Sequence, residues 1–318
     1  MGHHLGVELE PYRGELVAYC YRMLGSFHDA EDLVQEIFLR AWKARDRYDA
    51  TRASVRTWLY RIAVNACLTA LEGRARRALP TGLGSASEDP EAPLTPARDI
   101  PWLQPFPDAR FDLEVRSDMR LALVAAMQVL PARQRAVLIL RQVLDYSAAE
   151  VAVQLDTTVA AVNSTLQRAR AALAHAGDLD ELAEPADAED RAVIGRYARA
   201  FEAADVDALV RLVTDEVVLE MPPVPLWYRG SGDYGRFLSR VFGMRGPGWV
   251  TTELTGNGQP ALAAYAPDAA GGHRLHTLQV FTITGDQVAG NVVFADPAVF
   301  RVFGLPEQVP PGDFRPSR

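Results

Sequence analysis

The stretch TVAAVNSTLQRARAALA, residues 158–174, decides the fold in the middle of this 318-residue chain. Its apolar residues recur three or four positions apart, as on one face of an amphipathic helix: Val159, Val162, Leu166, Ala169 and Leu173. Groups that hydrogen-bond bases and phosphates point elsewhere: Asn163, Ser164, Gln167, Arg168 and Arg170. A second amphipathic segment at 147–155 precedes this helix across a short turn. The pair is typical of a helix-turn-helix, although a helical hairpin with a solvated outer face gives a similar pattern.

Charge is distributed unevenly along the chain, which has a net charge of −8 and a hydrophobic fraction of 48%. Residues 1–80 carry 12 basic and 10 acidic side chains, and residues 115–175 carry seven basic and four acidic ones. Residues 81–114 carry two basic and seven acidic side chains, and residues 176–318 carry 12 and 20. Contact with phosphates requires a local basic face rather than a basic protein. Two mildly basic modules separated by an acidic segment are therefore compatible with nucleic-acid binding.

Length and composition exclude several classes of protein. The length predicts two or three domains, and the apolar runs are too short for a membrane-spanning helix. The N-terminus lacks the pattern of a secretory signal, so a cytoplasmic protein without a membrane partner is expected. Cys20 and Cys67 lie in apolar helical patterns and are interpreted as buried free thiols. We therefore expect no metal site, no disulfide and no cofactor.

The N-terminal segment 5–78 is predicted to be helical, with Asp29 as the N-cap of its second helix. The apolar stripe of that helix is predicted to comprise Leu33, Ile37, Phe38, Ala41 and Trp42. In the third helix Arg61 and Asn65 stand one turn apart, where they can grip a phosphate and a base edge together. The aromatic candidates for stacking on an unpaired base are Tyr48, Trp58 and Tyr60. Such aromatic residues also fit a helical core, and both interpretations remain open for Trp58 and Tyr60.

Composition separates the remaining parts of the chain. Residues 80–114 are rich in proline, glycine, serine and acid and are predicted to be a linker, and 177–189 form a second, acidic linker. Bulky apolar residues within a linker are expected to dock on another part of the protein: Trp102, Leu103 and Phe106. From 190 to 304 helices are followed by strands predicted at 217–221, 249–254, 259–264, 276–284 and 287–294. We expect an α+β domain with a curved antiparallel sheet, and a tail at 305–318.

Aromatic residues of this last domain would line an apolar cavity able to take a small-molecule ligand: Trp227, Tyr228, Phe237, Trp249 and His276. The groups that could transfer a proton in such a cavity are Glu220, Asp233, His276 and Asp296. The sequence contains no compact catalytic pair or triad among them, and a histidine within a strand is more often structural. We therefore predict no catalytic residue and a regulatory role for the domain.

Three motifs occur in a characteristic order: DLVQE at 32–36, WLYRIAVN at 58–65 and the helix-turn-helix. Together they resemble the bacterial sigma-70 family, and the compact two-module form resembles its extracytoplasmic-function group. The C-terminal domain resembles the SnoaL-like α+β cone attached to some members, and WLQPFPD at 102–108 resembles their linker motif. The resemblance implies a multidomain fold: all-α sigma region 2 at 1–79, an all-α region 4 at 115–176 and a SnoaL-like cone. It also implies a promoter-specificity factor of RNA polymerase rather than an enzyme.

The resemblance further implies roles for individual residues. Core RNA polymerase would be contacted at its β′ clamp helices by Asp32, Gln35, Glu36 and Leu39, and at its β flap by region 4. The minus-ten element would be contacted by Tyr48, Ser54, Trp58, Arg61, Asn65, Arg74, Arg76 and Arg77. Within this set Asn65 would line the pocket of a flipped base and Tyr48 would form its wall.

The same resemblance assigns the minus-thirty-five element to Asn163, Ser164, Gln167, Arg168 and Arg170. Family members often carry basic residues where this chain has Asn163 and Thr165. Because asparagine favours a bidentate contact with adenine, whereas arginine favours guanine, this chain departs from the usual upstream preference.

Two other classes stay open at this point. An ordinary helix-turn-helix regulator with a ligand domain would bind duplex DNA without polymerase. A SnoaL-like enzyme with a DNA-binding appendage would require a catalytic pair in its pocket. Within the leading interpretation, removal of the residues after about 180 releases activity if the C-terminal domain inhibits. It abolishes activity if that domain braces the other modules.

Overall fold

The computed structural model describes residues 9–110, 119–174 and 188–310, and the chain forms two compact units. The first unit combines Met1–Arg77 with Phe111–Glu184, and the second combines Ala78–Arg110 with Pro185–Arg318. The two helical modules therefore belong to one unit, whereas the segment predicted to be a linker packs with the C-terminal domain. We call residues 78–110 the strap.

The first helical module consists of three helices: α1 (Arg13–Leu24), α2 (Phe27–Ala44) and α3 (Val55–Leu71). Helix α1 ends at Gly25, whose φ of 68° is the left-handed conformation that glycine adopts without a Cβ penalty. Ser26 is the N-cap of α2, since its hydroxyl accepts the main-chain N–H of Asp29 at 3.2 Å. The prediction of Asp29 as N-cap is wrong because Ser26 has the extended backbone of a cap, whereas Asp29 lies inside the first turn.

The helix-turn-helix module consists of α4 (Leu121–Gln128), α5 (Ala132–Leu138) with a π-helical turn at Ile139–Val143, α6 (Ala148–Gln154) and α7 (Val159–Ala174). The predicted helical residues 115–118 lie outside the described residues. A capping box starts α6: Ser147 Oγ accepts the N–H of Glu150 at 3.2 Å, and the Glu150 carboxylate accepts the N–H of Ser147 at 2.7 Å. The sharp turn into α7 contains Asp156 at a φ of 48°.

The two modules share a core in which α4 and α5 supply capping groups to the end of α1. Gln128 donates through Nε2 to the carbonyl of Arg22 at 3.1 Å, and Arg135 donates to the carbonyl of Met23. These carbonyls belong to the last turn of α1, which has no intrahelical donors of its own. Arg135 is only 4% exposed, and burial lowers the pKa of its guanidinium to about 10. The packing of the two helical modules therefore depends on the buried guanidinium of Arg135, which donates to main-chain carbonyl oxygens.

The C-terminal domain has helices α8 (Ala188–Glu202), α9 (Val206–Arg211), α10 (Ser231–Arg245) and α11 (Pro297–Val302). Its strands are β1 (Val213–Glu220), β2 (Trp227–Arg229), β3 (Val250–Gly256), β4 (Gln259–Pro267), β5 (His273–Thr284), β6 (Gln287–Phe294) and β7 (Gln308–Val309). The strand order is β2-β1-β6-β5-β4-β3, and β7 pairs with β5. The predicted fold class, helical modules followed by an α+β domain, is confirmed.

Two details of this sheet differ from the prediction. Strands β1 and β6 pair in parallel, with Leu219 opposite Asn291, so the sheet is mixed rather than purely antiparallel. The long connection between them contains α10 and four strands, so no hairpin forces an antiparallel pair. Strand β7 places part of the predicted tail in the sheet, where His273 pairs with Val309. Helix α8 begins at Ala188, inside the predicted acidic linker, and residues 175–187 of that region lie outside the described residues.

The core of the domain lies between the sheet and its helices. Large buried side chains meet there edge to face: Tyr197, Phe201, Phe242, Trp249 and Phe281. Among the described helices, none combines the length and the apolar character needed to cross a membrane.

Candidate nucleic-acid interface

One face of α2 carries the residues predicted to bind polymerase. Asp32, Gln35, Glu36 and Leu39 are all exposed, and Glu36 pairs with Arg40 at 2.5 Å. Leu39 is 52% exposed, which leaves an apolar side chain in the middle of a polar surface. The face is therefore available to a partner and mixes charged, amide and aliphatic groups.

Trp42 is 59% exposed, so its predicted place in the core of α2 is wrong. Successive helical residues are rotated by about 100°, and the neighbouring Ala41 already faces the core. The guanidinium of Arg45 lies 4.3 Å from the centre of the Trp42 ring and donates to the Trp42 carbonyl at 2.8 Å. An exposed tryptophan covered by an arginine extends the α2 face by one turn beyond Leu39.

The start of α3 presents an aromatic pair beside two polar groups. The rings of Tyr48 and Trp58 are tilted by 40° with centroids 5.0 Å apart, and Tyr48 donates to the carbonyl of Ala53 at 3.1 Å. Trp58, Arg61 and Asn65 share one helical face because they are three and four residues apart. Arg61 and Asn65 are exposed, whereas both aromatic rings are half-buried. The structure thus brings these four predicted residues to one surface.

Ser54 and Tyr60 have structural roles that the sequence left open. Ser54 is the N-cap of α3, and its hydroxyl accepts the N–H of Thr57 at 3.1 Å while remaining exposed. Tyr60 is fully buried, with its ring 5.4 Å from that of Tyr19 and 5.7 Å from that of Tyr146. The suggestion that Tyr60 stacks on a base is therefore wrong, because two residues after Trp58 the helix has turned to its opposite face.

The basic cluster after α3 is partly neutralised by an acid that the sequence did not reveal. The carboxylate of Asp29 accepts Arg74 at 3.3 Å and Arg77 at 2.8 Å. Arg74 and Arg76 are exposed, and Arg77 is half-buried. Since Asp29 lies 45 residues or more before these arginines, no local pattern indicates the contact. The positive potential of this cluster is lower than its three arginines suggest.

Helix α7 exposes all five residues predicted to read DNA: Asn163, Ser164, Gln167, Arg168 and Arg170. The guanidinium of Arg168 donates to Oγ of Ser164 and to Oγ1 of Thr165, both at 3.0 Å. The buried face comprises Val162, Leu166, Ala169 and Leu173. Val159, predicted on that face, is 45% exposed because it lies in the first turn at the edge of the apolar stripe.

The strap is fixed to the end of the β3–β4 hairpin. Asn257 accepts the N–H of Phe106 through Oδ1 at 2.7 Å and donates its own N–H to the Phe106 carbonyl at 2.8 Å. The N–H of Gly258 donates to both carboxylate oxygens of Asp108, at 3.0 and 2.9 Å. Leu103 and Phe106 are fully buried, whereas Trp102 is half-buried and donates to a carbonyl within the strap.

The middle of the strap is held by α10 and β2. Arg240 donates to the carbonyls of Pro90 at 2.7 Å and Ala92 at 2.8 Å. The indole N–H of Trp227 donates to the carbonyl of Gly84 at 2.9 Å, and the Tyr228 hydroxyl donates to that of Asp89 at 3.2 Å. Two of the predicted cavity residues, Trp227 and Tyr228, therefore serve as strap contacts.

The strap also closes a loop on itself. Ala78 pairs in parallel with Trp102: the Ala78 N–H donates to the carbonyl of Pro101 at 3.2 Å, and the Leu103 N–H donates to that of Ala78 at 3.0 Å. Near this point Glu220 accepts the N–H of Thr81 at 2.9 Å. Burial raises the pKa of the Glu220 carboxyl, and the hydrogen bond from Thr81 opposes that rise.

The remaining cavity candidates form two separate ring contacts. Tyr228 meets Phe237 at a centroid distance of 5.4 Å, and Trp249 meets His276 at 5.5 Å. Burial and, to a smaller extent, the charge of Arg245 together lower the pKa of His276 to about 4. The carboxylate of Asp233 pairs with Arg236. That of Asp296 caps α11 through the N–H of Ala298 at 2.8 Å. The candidate proton-transfer groups are thus engaged in different contacts.

A buried polar cluster lies in the same core and was missed by sequence reasoning. The hydroxyls of Tyr197 and Tyr234 are 2.5 Å apart. Asn291 donates to the Tyr234 hydroxyl at 3.0 Å and to Oε1 of Gln279 at 2.9 Å. Burial raises the pKa of Tyr234 to about 12, so the cluster is neutral at physiological pH. Its members come from two helices and two strands, and each alone fits an ordinary core position.

Comparison with known proteins identifies three parts of the chain. Residues 9–77 match the model for Sigma-70 region 2, residues 120–173 match that for Sigma-70 region 4, and residues 194–291 match that for the SnoaL-like domain. The ECF RNA polymerase sigma factor SigG of Mycobacterium tuberculosis is 47% identical over 310 residues, which cover 94% of this chain and 83% of that protein. SigW of Bacillus subtilis is 32% identical over 163 residues, covering 51% of this chain and 82% of SigW.

A solved structure matches the same architecture. The crystal structure of the extracytoplasmic function sigma factor SigJ of Mycobacterium tuberculosis has a TM-score of 0.65 and 25% sequence identity. The match covers 94% of this chain and 99% of SigJ. The chain therefore belongs to the extracytoplasmic-function sigma factors of RNA polymerase and carries, after its sigma regions, a C-terminal SnoaL-like domain.

Proposed function

We propose that this sigma factor directs core RNA polymerase to promoters through its two sigma regions, and that the SnoaL-like domain controls this activity in cis through the strap. The proposal of control in cis is supported by the strap, which is connected both to the sigma regions and to the C-terminal domain. In sequence it joins region 2 to region 4, yet its hydrogen bonds at Asn257 and Arg240 are made with the C-terminal domain.

Polymerase would dock on the α2 face. The exposed Asp32, Gln35 and Glu36 supply polar contacts to the β′ clamp helices, and Leu39 supplies an apolar centre. Aromatic and arginine side chains are enriched in the buried centres of interfaces, which suits the adjoining Trp42. Region 4 would add the contact with the β flap.

Recognition of the minus-ten element would depend on capture of an unpaired base. Extrusion of a base costs a few kcal/mol, and stacking on an aromatic side chain returns about 1–3 kcal/mol per base. The Tyr48–Trp58 pair is already formed at the start of α3, and Asn65 on the Trp58 face offers an amide to the base edge. Arg61 would bind the adjacent backbone phosphate. Melting would then require binding free energy alone and no chemical step.

Recognition of the minus-thirty-five element would use α7 in the major groove. Asn163 and Gln167 can each make the bidentate amide contact that reads adenine. Arg168 is held along the helix by two hydroxyls, so its guanidinium is oriented before DNA arrives. Ser164 and Arg170 would bind phosphates and fix the register of the helix.

The strap would set the reach between the two sigma regions. Fully extended, the 41 residues that follow Ala78 up to Met119 would span roughly 135 Å. With Ala78 held beside Trp102, only 17 residues remain between the closed loop and Met119, and their reach is roughly 56 Å. A domain that holds or releases this loop would therefore change the range of element spacings that the protein can bridge.

The C-terminal domain would act by binding the strap rather than by catalysis. Glu220, Asp233 and Asp296 are occupied by a main-chain amide, an arginine and a helix cap, respectively. Their separate engagements support the absence of an acid–base pair. A small-molecule ligand of the domain would act by competing with strap contacts such as Trp227. The activity would lie in the cytoplasm, where polymerase and promoter DNA meet.

The test is run-off transcription with core RNA polymerase on a library of promoters. The full-length chain should give promoter-dependent transcripts, and a double variant Asp32→Ala/Gln35→Ala should lose them without losing its fold. Glu216→Ala, which removes an exposed charge from the C-terminal domain, serves as the control and should transcribe normally. Duplex binding without polymerase, together with no transcripts, would instead identify an ordinary helix-turn-helix regulator.

A further inference from the structure

Val159 is an apolar residue at the edge of the buried stripe of α7, and much of its side chain is exposed. It is the first residue of α7 and is 45% exposed, whereas Val162 and Leu166 on the same helix are buried. The helix start is already secured, because Oγ1 of Thr158 accepts the N–H of Ala161 at 3.2 Å. Valine is also a poorer helix former than alanine. Val159 therefore lies at the edge of the buried stripe, where nearly half of its side chain stays open to a partner.

Val159 belongs to the base-reading stripe of α7. Val159, Asn163 and Gln167 are four residues apart, so they lie one above another along one side of the helix, and all three are exposed. The N-terminal residues of a recognition helix are those that reach the base edges. An apolar group therefore occupies the leading position of a stripe whose other members are amides.

We propose that Val159 reads the C5-methyl group of a thymine in the upstream promoter element. The inference rests on the proposed docking of α7 in the major groove. Along the edges of the bases in that groove, the thymine methyl group is the one apolar feature, and the other groups are hydrogen-bond donors and acceptors. A valine at a phosphate would desolvate a charge without compensation, which disfavours a backbone contact.

The position of this thymine follows from helix geometry. Val159 precedes Asn163 by four residues, or about 6 Å along the helix axis. Base pairs are stacked about 3.4 Å apart. The thymine read by Val159 therefore lies within two base pairs of the pair contacted by Asn163. The stripe as a whole selects A·T pairs, by amide contacts to adenine and by methyl contact to thymine.

The experiment removes the thymine methyl group on the DNA side of the contact and the two γ-methyl groups of Val159 on the protein side. In a promoter chosen from a random library, each upstream thymine on either strand is replaced singly by deoxyuridine, which lacks only the C5-methyl group. Full-length wild-type protein, Val159→Ala and Val153→Ala are compared in run-off transcription with core polymerase. Val153 is a matched control, because it is 66% exposed but lies on α6.

With wild-type protein, one deoxyuridine near the Asn163 position should lower open-complex formation about fourfold, the equivalent of roughly 0.8 kcal/mol for one buried methylene-sized group. Val159→Ala should lower activity on the thymine promoter and lose this sensitivity, whereas Val153→Ala should retain it.

Two outcomes would overturn the proposal. In the first, no deoxyuridine position within two base pairs of the Asn163 contact affects the wild type. In the second, the sensitivity persists unchanged in Val159→Ala. If instead no base change of any kind in the upstream element alters transcription, the docking of α7 itself fails. That result separates a failure of the proposed function from a failure of the Val159 contact alone.

Discussion

Asp108→Ala tests whether the strap governs the spacing of promoter elements. The carboxylate of Asp108 is 1% exposed and accepts the N–H of Gly258 through both oxygens. A hydrogen bond to a charged group contributes about 1.5–3 kcal/mol, and its loss leaves the half-buried N–H of Gly258 without this acceptor. Because about 1.4 kcal/mol corresponds to a factor of ten, the released state of the strap should become roughly 10- to 150-fold more populated.

The first assay is amide hydrogen exchange on the full-length protein. The N–H groups of Leu103, Phe106 and Gly258 donate to partners across the strap contacts, so they should exchange together and faster in Asp108→Ala. Asp99→Ala is the matched control, because Asp99 lies in the same strap but is exposed. Its exchange pattern should equal that of the wild type.

The second assay is run-off transcription from promoters that differ only in the number of base pairs between the two elements. The wild type should transcribe over a narrow range of spacings, because the strap, anchored at Gly258 by Asp108, limits the reach between the sigma regions. Asp108→Ala should widen that range. Faster exchange with an unchanged spacing preference would refute the role of the strap, and unchanged exchange would refute the energetic argument for the Asp108 contact.

Three further predictions follow from single contacts. Asp29→Asn removes the ion pairs that Asp29 makes with Arg74 and Arg77. DNA binding should therefore tighten several-fold at low salt, and its dependence on salt concentration should steepen by about one unit. Equal slopes in salt titrations of DNA binding by the two proteins would contradict this. Asn163→Ala should reduce discrimination at one upstream base pair by about 1–3 kcal/mol, measured as competition between promoter variants, and uniform weakening at all positions would argue against base contact. The folded pKa of His276 is about 4 and its unfolded value is near 6.5. Since the unfolded chain binds the proton more readily, the C-terminal domain should lose roughly 2–3 kcal/mol as pH falls from 6.5 to 4. The His276→Gln variant should lose less stability over that pH range, measured by thermal unfolding. Identical profiles of stability against pH for the two proteins would show that His276 is not the sensitive group.

Local patterns in the sequence were sufficient to predict much of this protein. The buried face of α7 and the strands β4, β5 and β6 follow from periodicities of about 3.6 and 2 residues, which are set by backbone geometry and need no knowledge of the rest of the chain. The α2 face at Asp32, Gln35 and Glu36 was instead predicted from the resemblance to the sigma-70 family. The ends of helices were less predictable: Ser26 rather than Asp29 caps α2 because the cap depends on backbone angles that the residue type alone does not determine.

The tertiary structure alone decided which predicted groups are free to act. Tyr60 is buried against Tyr146, which lies 86 positions later in the chain. Arg74 forms an ion pair with Asp29, which lies 45 positions earlier. The strap is the clearest case, since Phe106 and Asn257 are 151 residues apart and exchange two hydrogen bonds. Such pairings depend on which surfaces meet when separate elements pack. The sequence therefore determined the helices, the strands and the family to which the chain belongs. Long-range packing decided that the segment between the two sigma regions belongs to the C-terminal domain.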